Sequence, residues 1–238
     1  MPAGRGTVEA RQAEVERISG SGTEKEVNVA TPVTAYRSML PDWEVIRDLM
    51  GSTRAMRLAG ERHLPRFPKE SDTAYKNRLN QSILYNAFKH TVHTLVGRVF
   101  SEPFTFSDDT DPQAVEFAQD IDLTGRDITA YGRDCLTDMI AYGISHTTPE
   151  MPNVEALREQ LGRQNTVADD QRFKIRPYLA KVAPLNLIGW RGGRFGGADF
   201  LSRCRIYETT TEPVGEFGEK NVERVRVIHT DHTQMWVK

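Results

Sequence analysis

Apolar residues recur at helical spacing through the first half of the chain, and from Phe173 onward the period shortens towards two. The clearest helical stretch follows Ser71. There Tyr75, Leu79 and Ile83 form an i, i+4, i+8 series, and Leu84, Phe88, Val92, Leu95, Val96 and Val99 continue on an adjoining face. Lys76, Arg78, Asn80, Gln81 and Lys89 fall largely elsewhere. Ser71 or Asp72 can act as N-cap, and no Gly or Pro intervenes until Gly97. The pattern predicts one helix over 73–98, roughly seven turns. Before it, Leu64-Pro65-Arg66-Phe67-Pro68 must be extended, because each proline removes a donor and restrains the residue ahead of it. After it, Pro103 forbids further helix, and Phe104-Thr105-Phe106 alternates like a strand.

The same reading extends along the chain. Asp42 can cap a helix starting at Pro41, with Trp43, Ile46 and Met50 on one face. Gly51 interrupts it before a second piece over 54–59, and Gly60 ends that piece. The acidic stretch Ser107 to Asp111 leads into a helix with Pro112 at its first position. Thr124 and Asp127 read as an acidic capping box for a helix presenting Ile128, Tyr131, Cys135, Met139 and Tyr142, which stops near Gly143. Pro149 and Pro152 break the chain, Asn153 can cap a charged helix over 154–163, and 165–171 reads as a loop. Strands are expected over 174–182, 185–190, 200–209, 222–230 and 234–237, with glycine-rich turns at 192–197 and 215–218. The expected class is α+β, a helix-rich N-terminal half followed by an antiparallel β region. Its parts are a flexible polar arm over 1–35, a helical region over 36–146, an insertion or linker over 147–172, and a β-rich region over 173–238. The arm carries only Val8, Val15 and Ile18 as a thin apolar face, too little for a stable isolated helix.

Composition narrows the function. The 238 residues are 38% apolar and 27% charged, with a net charge of -2. A dedicated nucleic-acid binder is usually basic, because phosphate neutralisation supplies most of its affinity, so tight DNA binding is not expected. No apolar run approaches the roughly 18 residues of a membrane span. Met-Pro-Ala-Gly-Arg-Gly lacks the apolar core of a signal peptide. Two distant cysteines, Cys135 and Cys204, do not make a disulfide framework, which makes a reducing cytoplasm the expected compartment.

Candidate chemistry is sparse. His90 and His93 stand at i, i+3, a spacing that can hold a metal, but no Cys or carboxylate completes the set. His229, Asp231 and His232 fit a solvated turn. Asp108, Asp109 and Asp111 lack the Gly and distal Glu of a calcium loop and are better read as capping residues. The glycines of 192–197 lead into a strand, not a helix N-terminus, so they are no phosphate cradle. Ser145 and His146 have no nucleophile elbow around them. No catalytic residue, cofactor site or metal site is assigned.

One ordered string goes further. Leu64 and Pro65, then Asn86, Thr91, Val92, Leu95, Gly97, Val99, Phe100 and Pro103 stand in a Leu-Pro loop, a helix with a mid-way Asn and a Gly-x-Val-Phe-x-x-Pro exit. Tyr142-Gly143-Ile144-Ser145 follows as a helix end, then Arg176-Pro177-Tyr178-Leu179, then Trp190-Arg191. This order resembles the portal proteins, or head-tail connectors, of tailed bacteriophages, in a branch known only as an uncharacterised phage domain. It covers roughly Trp43 to the end with gaps. The polar His146-Thr-Thr-Pro-Glu150 departs from it, where an apolar strand is expected after Ser145.

The resemblance implies a wing-like N-terminal part of a portal, continuing in the family into stem, clip and crown elements. The last expected strand reaches the end of the sequence, which points the same way. It implies a dodecameric ring at one capsid vertex, assembled in the bacterial cytoplasm and resident in the virion. The implied partners are further copies of the chain, the major capsid protein, terminase, neck or adaptor proteins, and double-stranded DNA held weakly in the channel, with no membrane. Trp43, Tyr75, Phe88, Phe100, Tyr142 and Trp190 are expected to be structural. The alternatives are a minor head or adaptor protein, and a metal-dependent phage nuclease using His90 and His93 or Asp109 and Asp111.

Overall fold

A computed structural model describes residues 28–195 and 198–237. Residues 1–27, which carry most of the expected arm, lie outside the described residues. Pro32–Lys238 is one compact unit, and it holds every helix and strand among the described residues. The class is α+β: eight α-helices among the described residues, gathered in the N-terminal half, and antiparallel sheets in the C-terminal part.

Helix α1 is Thr34–Met50 and α2 is Ser52–Ala59. The helix does not start at Pro41, which lies inside α1. Proline costs α1 one backbone hydrogen bond there. Packing on both sides holds the helix through it: Tyr36 is buried, stands edge-on to Trp43 at 5.7 Å and donates its hydroxyl to the Leu185 carbonyl. Trp43 in turn donates its indole N–H to the Tyr142 carbonyl at 3.0 Å.

The single helix expected over 73–98 is two helices. Helix α3 (Asp72–Gln81) is capped by Ser71, α4 (Ala87–Val99) is capped by Asn86, and Ser82 already has extended dihedrals. Periodicity survives the break because the gap of five residues keeps the apolar positions nearly in phase. Nor is there a strand at Phe104 to Phe106: no ladder pairs that stretch, and both aromatic rings are exposed. Helix α5 (Pro112–Gln119) starts as expected, with Asp111 as N-cap and proline at the first position. Helix α6 is Ile128–Tyr142, capped by Asp127 alone; Thr124 bonds to Asp122 instead of completing a box. It ends at Gly143, whose φ of 75° suits a residue without Cβ.

Strand β1 (His146–Glu150) pairs antiparallel with β2 (Tyr178–Val182). A strand therefore does follow Ser145, despite its polar sequence. Its side chains meet polar groups: Thr147 Oγ1 accepts from the Tyr131 hydroxyl at 3.1 Å. Between these strands lie α7 (Val154–Leu161) and α8 (Val167–Arg172). The second replaces an expected loop. Thr166 and Asp169 cap it reciprocally, and Arg163 clasps the same Asp169 at 2.6 and 3.0 Å.

The second sheet has the order β3-β4-β5-β6, all antiparallel: Leu187–Phe195, Ala198–Val214, Gly218–His229 and Thr233–Val237. Strand β2 is shorter than the expected 174–182, because Lys174 has positive φ and Pro177 lacks a donor. Strand β3 starts after a 3-10 turn over Pro184–Asn186 and runs through Gly192 and Gly193, which are strand rather than turn. Strands β4 and β5 outrun expectation to Val214 and Gly218. The helical core joins Val92 and Val96 of α4 to Ala141 of α6, with Ile46, Met50, Phe88 and Phe100 against them.

Candidate functional site around Asn86

Several of the motif residues are joints between elements. The Leu-Pro loop folds back on α3 through Arg78. Its guanidinium donates to both oxygens of Glu70 at 2.9 and 2.8 Å and to the Pro65 carbonyl at 2.8 Å. It also lies over the Phe67 ring, 4.3 Å from its centre. The hydrogen bond from Arg78 pulls the Glu70 carboxyl down to about 2. Glu70 also accepts from the Phe67 amide, so one arginine and one glutamate fix both ends of a loop that its prolines keep out of helix. Leu64 closes the other side through its amide to the Gly60 carbonyl.

Asn86 is the pivot. Its Oδ1 accepts from the Lys89 amide and caps α4. Its Nδ2 donates to the Leu49 carbonyl at the end of α1 and to Ser52 Oγ at the start of α2. One side chain thus ties three helix termini. Around it, Arg57 donates twice to the Ser82 carbonyl, at 3.1 and 2.8 Å, and the Leu84 amide donates to Thr53 Oγ1. These bonds replace the helical hydrogen bonds that 82–86 gives up. Alternation in this extended piece turns Leu84 inward and leaves Ile83 and Tyr85 80% and 91% exposed.

Val92, Phe100 and Tyr142 come together in the helical core. Phe100 also packs edge-on against Phe104 and onto Gly132, where a Cβ would stand 3.2 Å from each ring. Pro103 leads directly to the Phe104 amide, which donates to Thr129 Oγ1. Gly143 ends α6. Thr91 and Gly97 are exposed on α4 and join nothing. Pro177 and Tyr178 lie at the start of β2, and Trp190 and Arg191 in β3, paired with Cys204 and Arg203. The motif residues do not converge on one place. Trp43 and Tyr75 are buried; Phe88, Phe100, Tyr142 and Trp190 are half-buried.

The titratable groups form structural ion pairs. Asp48, buried on α1, meets Arg62 at 2.9 Å and His63 at 2.8 Å. Arg226 on β5 bonds Glu150 of β1 and lies 2.8 Å from Glu208, joining the two sheets. Sequence reasoning missed both clusters, because neither has a local spacing. Burial lowers the His146 pKa, opposed by nearby Asp138, whose carboxylate is 2.8 Å from Lys181. His90 and His93 are exposed on α4. His229 and His232 stack at 4.3 Å, with Asp231 2.7 Å from His232. Among the described residues no three His, Cys, Asp or Glu side chains gather in a metal-holding group. Asp109 accepts from Ser107 Oγ within its own loop, and Asp111 caps α5. Among the described residues no helix is long and apolar enough to cross a membrane.

A groove of about 610 Å³ lies between α5 and α8. Its cations are used locally: Lys174 pairs with Asp120 at 2.8 Å, and Arg176 bonds the Asp120 carbonyl. The arrangement can tie elements together and present surface. Neither the family models nor the curated proteins compared with the chain give a match.

Proposed function

We propose that this chain is a structural subunit of a tailed-phage portal, its wing-like part. In this reading it forms a ring at the capsid vertex through which double-stranded DNA enters and leaves. Terminase, the major capsid protein and neck proteins dock on that ring. The identity of the assembly rests on the ordered motif from Leu64 to Arg191.

The observation that carries assembly itself is the balance of apolar residues. Among the described residues, 21 large hydrophobic side chains are exposed, against 15 buried hydrophobic ones. An exposed apolar residue is ordinary singly; groups such as Met235, Trp236 and Val237 on β6, or Ile83 and Tyr85 beside α2, ask for a covering partner. A ring supplies that cover on two sides of each subunit through head-to-tail interfaces. Several motif residues fit a scaffold, since Asn86 caps a helix, the Leu-Pro loop is stapled and Gly143 ends a helix. Near-neutral charge suits a conduit along which DNA must slide. The work is geometric: no covalent step and no cofactor enter it.

Electron microscopy of the purified native-length protein, with its mass measured in solution, tests the reading. Closed rings with a central hole are expected. A persistent monomer at high concentration would overturn intrinsic ring formation and favour an adaptor that binds a ring made by another protein.

A further inference from the structure

We infer that the tip of the β4–β5 ribbon of one copy docks on the helical half of a neighbouring copy, over Ile83 and Tyr85 in the break between α3 and α4. The inference rests on the reading of the chain as an assembling subunit, and it names the contact.

The ribbon is the part of the sheet that its neighbours leave behind. Strand β3 pairs with β4 no further than Ile206, and β6 pairs with β5 no further than Arg224. Among the described residues, β4 and β5 have only each other from Thr209↔Glu223 out to Val214↔Gly218. With its turn this makes a ribbon of roughly 20 Å at the usual strand rise. A two-stranded ribbon is marginal in water by itself. Every residue over 211–220 is exposed, and Phe217 in the turn is 91% exposed, so its own subunit gives that ring no cover. The tip is acidic. Lys220 pairs with Glu212 at 3.7 Å, while Glu216 and Glu219, on either side of Phe217, have no cation partner among the described residues.

The receiving surface has the opposite sign and the same lack of apolar cover. Ile83 and Tyr85 face outward from an extended piece, 80% and 91% exposed. Their amides make no hydrogen bond among the described residues. Three cations flank this piece. Arg57 spends its guanidinium on the Ser82 carbonyl, which is neutral. Arg54 is exposed next to Thr53, whose hydroxyl accepts from the Leu84 amide. Lys89 stands in the first turn of α4. None of the three has a carboxylate partner among the described residues. The sequence supplies none locally, since 52–60 and 73–101 contain no Asp or Glu. Asp48, near the end of α1, is buried and held by Arg62 and His63.

Charge distinguishes this surface from other exposed apolar groups. Phe67 lies against Arg78, which Glu70 neutralises. Met235 and Val237 stand opposite Arg226 and Arg224, which Glu150 and Glu208 neutralise. At Ile83 and Tyr85 the cations are uncompensated, so an acidic partner is drawn in and a basic one is repelled. The ribbon tip brings Glu216 and Glu219 to Arg54, Arg57 and Lys89, and lays Phe217 on Ile83 and Tyr85. The contact is heterologous, using two different patches, and so can propagate from copy to copy around a closed ring.

Charge reversal tests this on the full chain. Glu216→Arg with Glu219→Arg, or Arg54→Glu with Lys89→Glu, is expected to weaken self-association by about tenfold or more in sedimentation equilibrium. Arg54 and Lys89 each lie in the first turn of a helix, where glutamate is well tolerated. Mixed in equal amounts, the two variants should associate as the wild type does, because every contact between unlike copies is complementary. Raising the salt should weaken the wild-type contact. Phe217→Ser and Tyr85→Ser should each weaken association, and the double variant should lose clearly less than the sum. Circular dichroism melting of each variant separates a lost contact from a lost fold, and if a charge pair fails to fold the serine variants carry the test. Association unchanged by both reversals, absent in the wild type, or reduced additively by the two serine changes overturns the inference. So does a loss confined to the Arg54 and Lys89 variant when the wild type also binds double-stranded DNA, which would assign these cations to nucleic acid. Closed rings that survive both reversals keep the portal reading and remove this contact. Swap-rescued association into open filaments keeps the contact and removes the ring.

Discussion

The helical half and the second sheet are held together by different means. In the helices, side chains reach backbone across long sequence separations: Trp43 to Tyr142, Arg57 to Ser82, Arg78 to Pro65, Asn86 to Leu49. Each bridge reaches a carbonyl at a helix end or in a loop, where the helical ladder leaves acceptors open. In the sheet the backbone satisfies itself along the β4–β5 ladder, and from Thr211 to Lys220 every residue is exposed. The helical half therefore spends its polar residues on its own shape, whereas the sheet keeps a charged, apolar-tipped surface for something else. Substitutions should be costly in the first and mostly silent for stability in the second, apart from the few residues that the sheet does bury.

Trp43 should give the largest effect. It is 3% exposed, stands edge-on to Tyr36 and donates to Tyr142. Trp43→Ala removes all of this and leaves the Tyr142 carbonyl with a lost donor, so a loss of about 3–5 kcal/mol is expected in urea unfolding. The sheet's counterpart is Ile206, 2% exposed. Ile206→Ala should cost about 2–5 kcal/mol by cavity formation alone. A much smaller loss at Trp43 than at Ile206 would invert the comparison.

Next comes Asn86, where two variants separate two jobs. Asn86→Asp keeps an oxygen to cap α4 but loses both donors, and puts a carboxylate against the Leu49 carbonyl. Asn86→Ala loses the cap as well. A cap is worth about 0.5–2 kcal/mol, and an orphaned buried acceptor about 1–3 kcal/mol. Both variants should be clearly destabilised. If Asn86→Asp melts like the wild type, the tie to α1 and α2 contributes nothing and Asn86 is only a cap.

That pair of roles marks where the sequence was legible. Apolar spacing and capping residues located α5, α6 and the strand region, because those signals are local. The break at 82–86 was not legible: every residue there has acceptable helix spacing, and what ends the helix is Arg57, Thr53 and Ser52 reaching in from another helix. Asn86 stood in the ordered string of residues, but only contact geometry shows why an asparagine is needed. Pro41 misled in the opposite direction, since tertiary packing carries α1 through it. The polar strand β1 was hidden because its partners are hydroxyls and the antiparallel strand β2 rather than an apolar core. The Arg191–Arg203 opposition was invisible until register was known.

The Glu70–Arg78 pair should show a smaller, pH-dependent effect. Its arginine holds the Glu70 carboxyl at about 2, below its ordinary 4.5. A depressed carboxyl stabilises the fold fully above its unfolded pKa, and the contribution fades as pH falls from 4.5 towards 2. Hydrogen-exchange protection of residues 64–72 should fall across that window in the wild type. In Glu70→Gln it should be low already at neutral pH and change little. Equal pH dependence in both proteins would remove Glu70 as the clasp of the loop.

The smallest expected effect is the most telling for the comparison. Phe217 is 91% exposed at the ribbon tip, so Phe217→Ser removes no buried area from the subunit. Its effect on the unfolding free energy of the dissociated chain should stay within about 0.5 kcal/mol. A residue that matters little to its own fold, yet is large and apolar, fits a surface meant for contact. If Phe217→Ser destabilises the isolated chain as much as Ile206→Ala does, the ribbon belongs to the core. The contrast between a self-satisfied helical half and an outward-facing sheet would then fail at its sharpest point.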